Sequence, residues 1–186
     1  MVNKTQATYI LSSTGVDKKT TVSFKRWLKH FFYLSNSKYY FSKQDRIDIA
    51  QAIQSAEQGH VGEIQVVIES YIPSNAAYFQ NTTMRARQLF AELGVWDTEY
   101  NSGVLLYVNL CERQVDIVFD RGIKKTTDPR TWQNICQSVI QQMKNKAYKV
   151  AITYGVEQIG KTLNHHYSSI EPLDANNELS DDPMIL

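Results

Sequence analysis

Hydrophobic and polar positions along the 186-residue chain alternate with two periods, and each period predicts an element type. Residues 1–22 are polar, show no period and read as a mobile or extended stretch. In SFKRWLKHFFYL, residues Phe24, Trp27, Leu28 and Phe31 fall at i, i+3, i+4 and i+7, which predicts a helix over 23–34 with one aromatic face. A second helix is predicted over about 43–58, with Ser42 and Asp45 as a capping pair, Ile49, Ile53 and Ala56 inward, and Gly59 as a left-handed stop. EIQVVIES (63–70) is short and β-branched, and reads as a buried strand. A third helix follows over about 82–93, capped by Thr82 or Thr83 and stopped by Gly94. Val104 to Val108 form an almost unbroken apolar run, which predicts a strand covered on both faces. In QVDIVFD, Val115, Ile117 and Phe119 alternate with Asp116, Val118 and Asp120, as in the second strand of an antiparallel hairpin. Asp128 and Pro129 mark a helix start, and Trp132, Ile135, Cys136, Val139, Ile140 and Met143 form the strongest helical stripe. A last helix is predicted over roughly 147–166, followed by an aperiodic acidic tail over 169–186.

This order predicts an α/β fold. A strand–helix–strand unit makes the first two strands parallel, the third returns antiparallel, and helices cover both faces of a small mixed sheet. The loop before 104–108 and the loop after 115–120 then meet at the open end of one hairpin. Asp97, Glu99 and Asn101 are thereby expected near Asp120 and Asp128. Such an edge offers oxygen ligands only, which suits Ca²⁺ or Mg²⁺ and not Zn²⁺. In the competing reading each residue acts locally. Asp128 caps a helix, Asn101 and Ser102 shape a turn, and Asp97 and Glu99 stay solvated or pair with Arg121 or Lys124.

Composition changes the picture in two places. Residues 1–50 hold nine Lys/Arg against three Asp/Glu, whereas the remainder holds eleven against sixteen. A basic arm of this kind favours docking on its own acidic body, on another copy or on an anionic partner. Packing of the aromatic stripe on the domain is the preferred reading of the arm helix, and contact with an anionic membrane surface is the alternative. The first residues lack the pattern of a secretory signal and no window is apolar enough to span a membrane, so a cytoplasmic protein is expected. Cys111 and Cys136 fit neither a metal nor a disulfide framework.

Motifs for covalent chemistry are missing. The acids of DIVFD are spaced wrongly for a paired-aspartate nucleophile, neighbouring His165 and His166 do not share a helical face, and no Gly-rich phosphate loop is present. Nor is there an interleaved basic and aromatic platform of the kind that binds RNA, so no nucleic-acid partner is expected.

The stretches GEIQVVIES, RARQLFAELGVWDTEYNSGVLLYV, ERQVDIVFDRGI, the WQNIC helix and NELSDDP carry a resemblance. Together they resemble the TPM domain family, in its soluble bacterial branch, over roughly residues 24–186. The resemblance implies a three-layer α/β/α sandwich around a small mixed sheet; with the charge and period read above, the chain divides into a basic arm over 1–36 with its helix over 23–34, the domain over 37–168 and an acidic tail over 169–186. It further implies either a non-catalytic, cation-dependent binding module for a protein complex, or a metal-dependent acid phosphatase. A phosphatase needs a cation to hold phosphate, and the residues on offer near these loops are Arg121, Lys124 and Lys125. Many members have Asp-Asn-Gly where this chain has Asn101, Ser102 and Gly103. The change keeps an oxygen at Asn101 but loses a charge, and it leaves Gly103 for a turn with unusual backbone angles.

Overall fold

The computed structural model describes residues 9–12, 22–35, 37–124, 127–167 and 179–186, with only the main chain of 9–12, 38 and 124. Its elements in chain order are β1 (Tyr9–Ser12), α1 (Phe24–Phe31), α2 (Lys43–Ala56), β2 (Glu63–Glu69), α3 (Ser74–Ala77), α4 (Thr82–Glu92), β3 (Gly103–Asn109), β4 (Gln114–Phe119), α5 (Arg121–Lys124), α6 (Pro129–Lys144), α7 (Tyr148–Tyr167) and β5 (Met184–Ile185). One sheet runs β1-β4-β3-β2-β5. The β2–β3 pair is parallel with Ile64 opposite Val104, and the β3–β4 pair is an antiparallel hairpin with Leu106 opposite Ile117. Both edge strands come from segments whose sequence shows no strand period. β1 joins β4 antiparallel, and β5 in the tail joins β2 parallel.

Strand alternation divides the interior in two. Ile64, Val66, Ile68, Val104, Leu106, Val108, Val115, Ile117 and Phe119 face the large layer built by α2, α6 and α7, around Trp132 and Ile53. Val67, Leu105, Tyr107 and Val118 face α4 through Ala86, Leu89 and Phe90. The result is the α/β/α sandwich around a mixed sheet.

Helix ends follow local chemistry. Ser42 Oγ accepts from the Asp45 N–H at 3.1 Å while the Asp45 carboxylate accepts from the Ser42 N–H at 2.8 Å, a complete capping box. Asp128 caps α6 ahead of Pro129, as expected. The cap of α4 is Asn81, whose Oδ1 accepts from Met84 N–H at 2.9 Å, rather than Thr82 or Thr83. Those threonines turn inward, and the Thr83 hydroxyl donates to buried Asp116 at 3.0 Å.

The arm helix reverses the expected face. Phe24 and Phe31 are 63% and 54% exposed, Leu28 is exposed and Trp27 is half-buried, whereas His30 is buried. The domain surface beneath α1 is polar, so α1 docks through its polar side. Arg26 donates from Nε to the Ala77 carbonyl at 2.7 Å and from Nη2 to the Tyr78 carbonyl at 3.0 Å.

Candidate functional site

The two ends of the sheet differ in chemistry. At one end lie the loops that flank the open hairpin. Asp120 N–H donates to the Gly103 carbonyl at 3.1 Å. A Cβ on Gly122 would sit 2.5 Å from the Asn101 carbonyl oxygen, so the two loops are in contact. Asn101 adopts the left-handed backbone at φ 52°. Gly103 does not, contrary to expectation. It is glycine because any Cβ there would collide with the Val95 carbonyl oxygen.

The side chains at this end mostly serve the loops. Thr98 Oγ1 accepts from Ser102 N–H at 3.0 Å, and the Ser102 hydroxyl donates to the Val61 carbonyl at 2.6 Å. Asp120 Oδ1 accepts from Arg121 N–H at 2.6 Å, and Asp128 Oδ1 accepts from Arg130 N–H at 2.9 Å. Asp97 and Glu99 are exposed. The structure thus joins the Asn101 and Asp120 loops. Among the described residues, no three of Asp97, Glu99, Asp120 and Asp128 come within common reach of one ion. These four carboxylates by themselves do not supply the 6–8 oxygens of a Ca²⁺ shell as they stand. Lys125 and the Lys124 side chain, weighed above for phosphate, lie outside the described residues.

At the opposite end, the turn after β3 receives α1. Ile72 N–H donates to His30 Nδ1 at 3.0 Å, which places the proton of the neutral ring on Nε2. Nε2 faces Glu112 Oε1 at 3.2 Å, imperfectly aligned, and Lys29 Nζ meets Glu112 Oε2 at 2.9 Å. His30 first and Lys29 second hold the Glu112 carboxyl down to about 2. Cys111 Sγ lies 3.8 Å from the Lys29 carbonyl, and burial pushes its thiol up to about 11. His30, Cys111 and Glu112 are close enough to share an ion. The Ile72 bond and the protonated thiol argue against that chemistry, because binding would require both groups to lose protons. The cluster is a latch between arm and domain.

A third group, under α4, has no counterpart in the sequence reading. Arg85 grips Glu69 Oε1 from Nε and Nη2 at 2.9 and 2.8 Å, Tyr107 OH donates to Glu69 Oε2 at 2.6 Å, and Asn109 Nδ2 donates to Tyr107 OH at 2.9 Å. Nearby, burial pushes the Asp116 carboxyl up to about 6 against the pull of the Thr82 and Thr83 hydroxyls. Its Oδ2 has no well-aligned partner. Glu69, Tyr107, Asn109 and Asp116 all lie on the α4 face of the sheet, so strand alternation was the available signal.

An α/β/α sandwich with a joined-loop end and an arm-bearing end defines the class. A family model described as TPM domain matches residues 35–162, and the chain belongs to that family. The NMR structure of BA42 protein from the psychrophilic bacterium Bizionia argentinensis has a similar fold, with a TM-score of 0.67 and 24% identity over 77% of this chain and 94% of that one. No curated protein matches. The matched range begins after α1 and ends before β5. No helix among the described residues is long and apolar enough to cross a membrane.

Proposed function

We propose that this TPM domain acts as a non-catalytic accessory module that docks on a protein partner through the outward face of α1. The observation that carries this reading is the aromatic ladder. Phe24 stacks on Trp27 at 5.3 Å, Trp27 on Phe31 at 5.1 Å, and Phe31 meets Phe32, the C-terminal cap, edge-on at 5.1 Å, along a helix bolted down from behind. Rigid, pre-ordered aromatic side chains are the usual anchors of protein interfaces, since little conformational entropy remains to be lost on contact. The ladder precedes the range shared with the family, so it is a feature of this chain's arm.

A protein suits this face better than an anionic membrane. Adsorption to lipid gains about 1 kcal/mol per basic side chain near the surface. Three of the four basic side chains of α1 are already committed inward: Arg26 to carbonyls, and Lys29 and His30 to Glu112. Hydrolytic chemistry has less support. His30 and His60 are occupied by backbone groups, and burial keeps both cysteine thiols protonated.

The test is a photo-crosslinker at Leu28 in the full chain within its own cells, with one at exposed Gln137 as control. The expected outcome is one protein adduct specific to Leu28. Phe31→Glu should abolish it without lowering Tm, since Phe31 is exposed. Absence of a specific adduct, combined with sedimentation of the chain on phosphatidylserine vesicles, would transfer the face to a membrane. A concentration-dependent dimer lost in Phe31→Glu would transfer it to a second copy.

A further inference from the structure

Two turns share a backbone peculiarity. Arg113, between β3 and β4, has φ 54°, and Lys146, between α6 and α7, has φ 61°. Glycine or asparagine normally fills such left-handed positions, because a longer L side chain there costs energy. Both residues are instead long cations, and both line the same cavity of about 630 Å³. Strain retained at two positions that face one space is a pointer to use of that space.

The lining has one charge sign. Lys29 and Lys144 join Arg113 and Lys146, and no Asp or Glu contributes. Lys29 is paired with Glu112, but Arg113, Lys144 and Lys146 have no carboxylate partner among the described residues. The remaining wall is aromatic and apolar, with Tyr33, Tyr40 and Tyr148 beside Ile140 and Met143 of α6. Tyr40 and Tyr148 meet edge-to-face at 4.6 Å, which fixes both rings. The cavity also touches Leu110 and Cys111, directly after β3. The carboxyl ends of strands are where open α/β sheets hold ligands.

We propose that this cavity binds a small organic phosphate that carries a ring, of the size of a nucleoside monophosphate. The Arg113 fork and the two free lysines take the phosphoryl oxygens, and the tyrosines take the ring. A bare anion would leave the aromatic wall unused, and a neutral ring would leave three cations uncompensated. The volume lies within the range of small-molecule sites, on the order of 300–1,000 Å³.

Calorimetry at low salt tests this on the full chain with AMP, adenosine and inorganic phosphate as separate probes. AMP should bind at least about tenfold more tightly than either fragment, each partial contact being worth roughly that factor. Arg113→Gly and Lys146→Gly should each weaken AMP by about tenfold or more while Tm holds or rises, because glycine relieves the left-handed backbone. That pairing separates a lost ligand from a lost fold. Lys144→Ala, at an exposed helix end, repeats the test away from the strained turns. The proposal is overturned by no AMP heat at millimolar concentration, by unchanged affinity in both glycine variants, or by phosphate binding as tightly as AMP. Binding to phosphatidylserine vesicles that needs Arg113, without AMP binding, would assign the cations to a lipid headgroup and overturn it equally.

Discussion

At the scale of single residues, the buried face beneath α4 makes the sharpest claims. Asp116 is fully buried with its carboxyl raised to about 6, whereas an unfolded chain holds the same group near 3.8. The folded form therefore binds its proton more readily. The stability linked to this group is fully present below pH 3.8 and is lost as pH rises through about 6. Glu57, raised by burial to about 9, acts in the same direction at higher pH. Glu112, held near 2, acts oppositely but only below its ordinary value of 4.5. Asp116→Asn should thus raise Tm at pH 7.5, and the gain should shrink towards pH 4.5. The ionisation penalty it removes is on the order of 2–3 kcal/mol. Thermal melts across that range check it, and a pH-independent difference would contradict it. Gly103→Ala should be severe, costing several kcal/mol (about 3 or more), because the Val95 carbonyl occupies the space for Cβ. A chemical denaturation midpoint measures the loss. The family resemblance pointed to Gly103, as the glycine kept from Asp-Asn-Gly ahead of the buried strand. It could not show whether backbone angle or crowding fixed the residue, since crowding by Val95 depends on how the preceding loop folds back.

At the scale of elements, periodicity located every helix of more than one turn among the described residues, because apolar stripes and caps are local signals. It misread α1 for a physical reason. A stripe reveals that a helix has two unlike faces, and the surface beneath decides which one packs. Here that surface presents the Ala77 and Tyr78 carbonyls, the Ile72 N–H and the Glu112 carboxylate, so Arg26 and His30 face inward. β1 and β5 escaped detection because an edge strand can be held by main-chain bonds alone. In β5, Ser70 N–H donates to the Leu186 carbonyl and Leu186 N–H to the Ile68 carbonyl, both at 2.9 Å. The α1 latch is open to test. His30→Ala leaves the buried Ile72 N–H without a partner and removes a neighbour of Glu112, at a cost of about 1–3 kcal/mol. Global Tm should fall only slightly, while amide exchange over 24–34 accelerates at least tenfold. An unchanged exchange pattern would show that Arg26 and the Ser23–Tyr78 bond hold α1 unaided.

At the scale of the whole molecule, the sheet separates two chemistries that the sequence placed partly. Topology correctly joined the Asn101 and Asp120 loops, because β3 and β4 pair as a hairpin. The cationic cavity at the other end was not legible, since Tyr33, Arg113 and the Lys146–Tyr148 stretch come from three segments far apart in the chain. The charge excess of residues 1–50 also offered no hint of it, since Arg113, Lys144 and Lys146 lie in the acidic remainder. The joined loops bear on the cation question directly. Asp128 is committed to the α6 terminus, Asp120 shares an oxygen with Arg121 N–H, and Asn101 contributes no charge. Gathering Asp97 and Glu99 around an ion would require both side chains to be held in one new arrangement, which opposes binding. Ca²⁺ affinity at this end is therefore expected to be weak, in the range of about 10⁻⁴–10⁻³ M typical of low-charge extracellular-type sites, with Mg²⁺ weaker still. Calorimetry with Asp97→Asn and Asp120→Asn provides the measurement. Weak heat lost in both variants supports a loose site between the two loops. Micromolar binding lost in both would mean that the loops close around the ion into a different arrangement, with Asp120 drawn away from Arg121 N–H. Binding that survives in both would move the ion away from this end altogether.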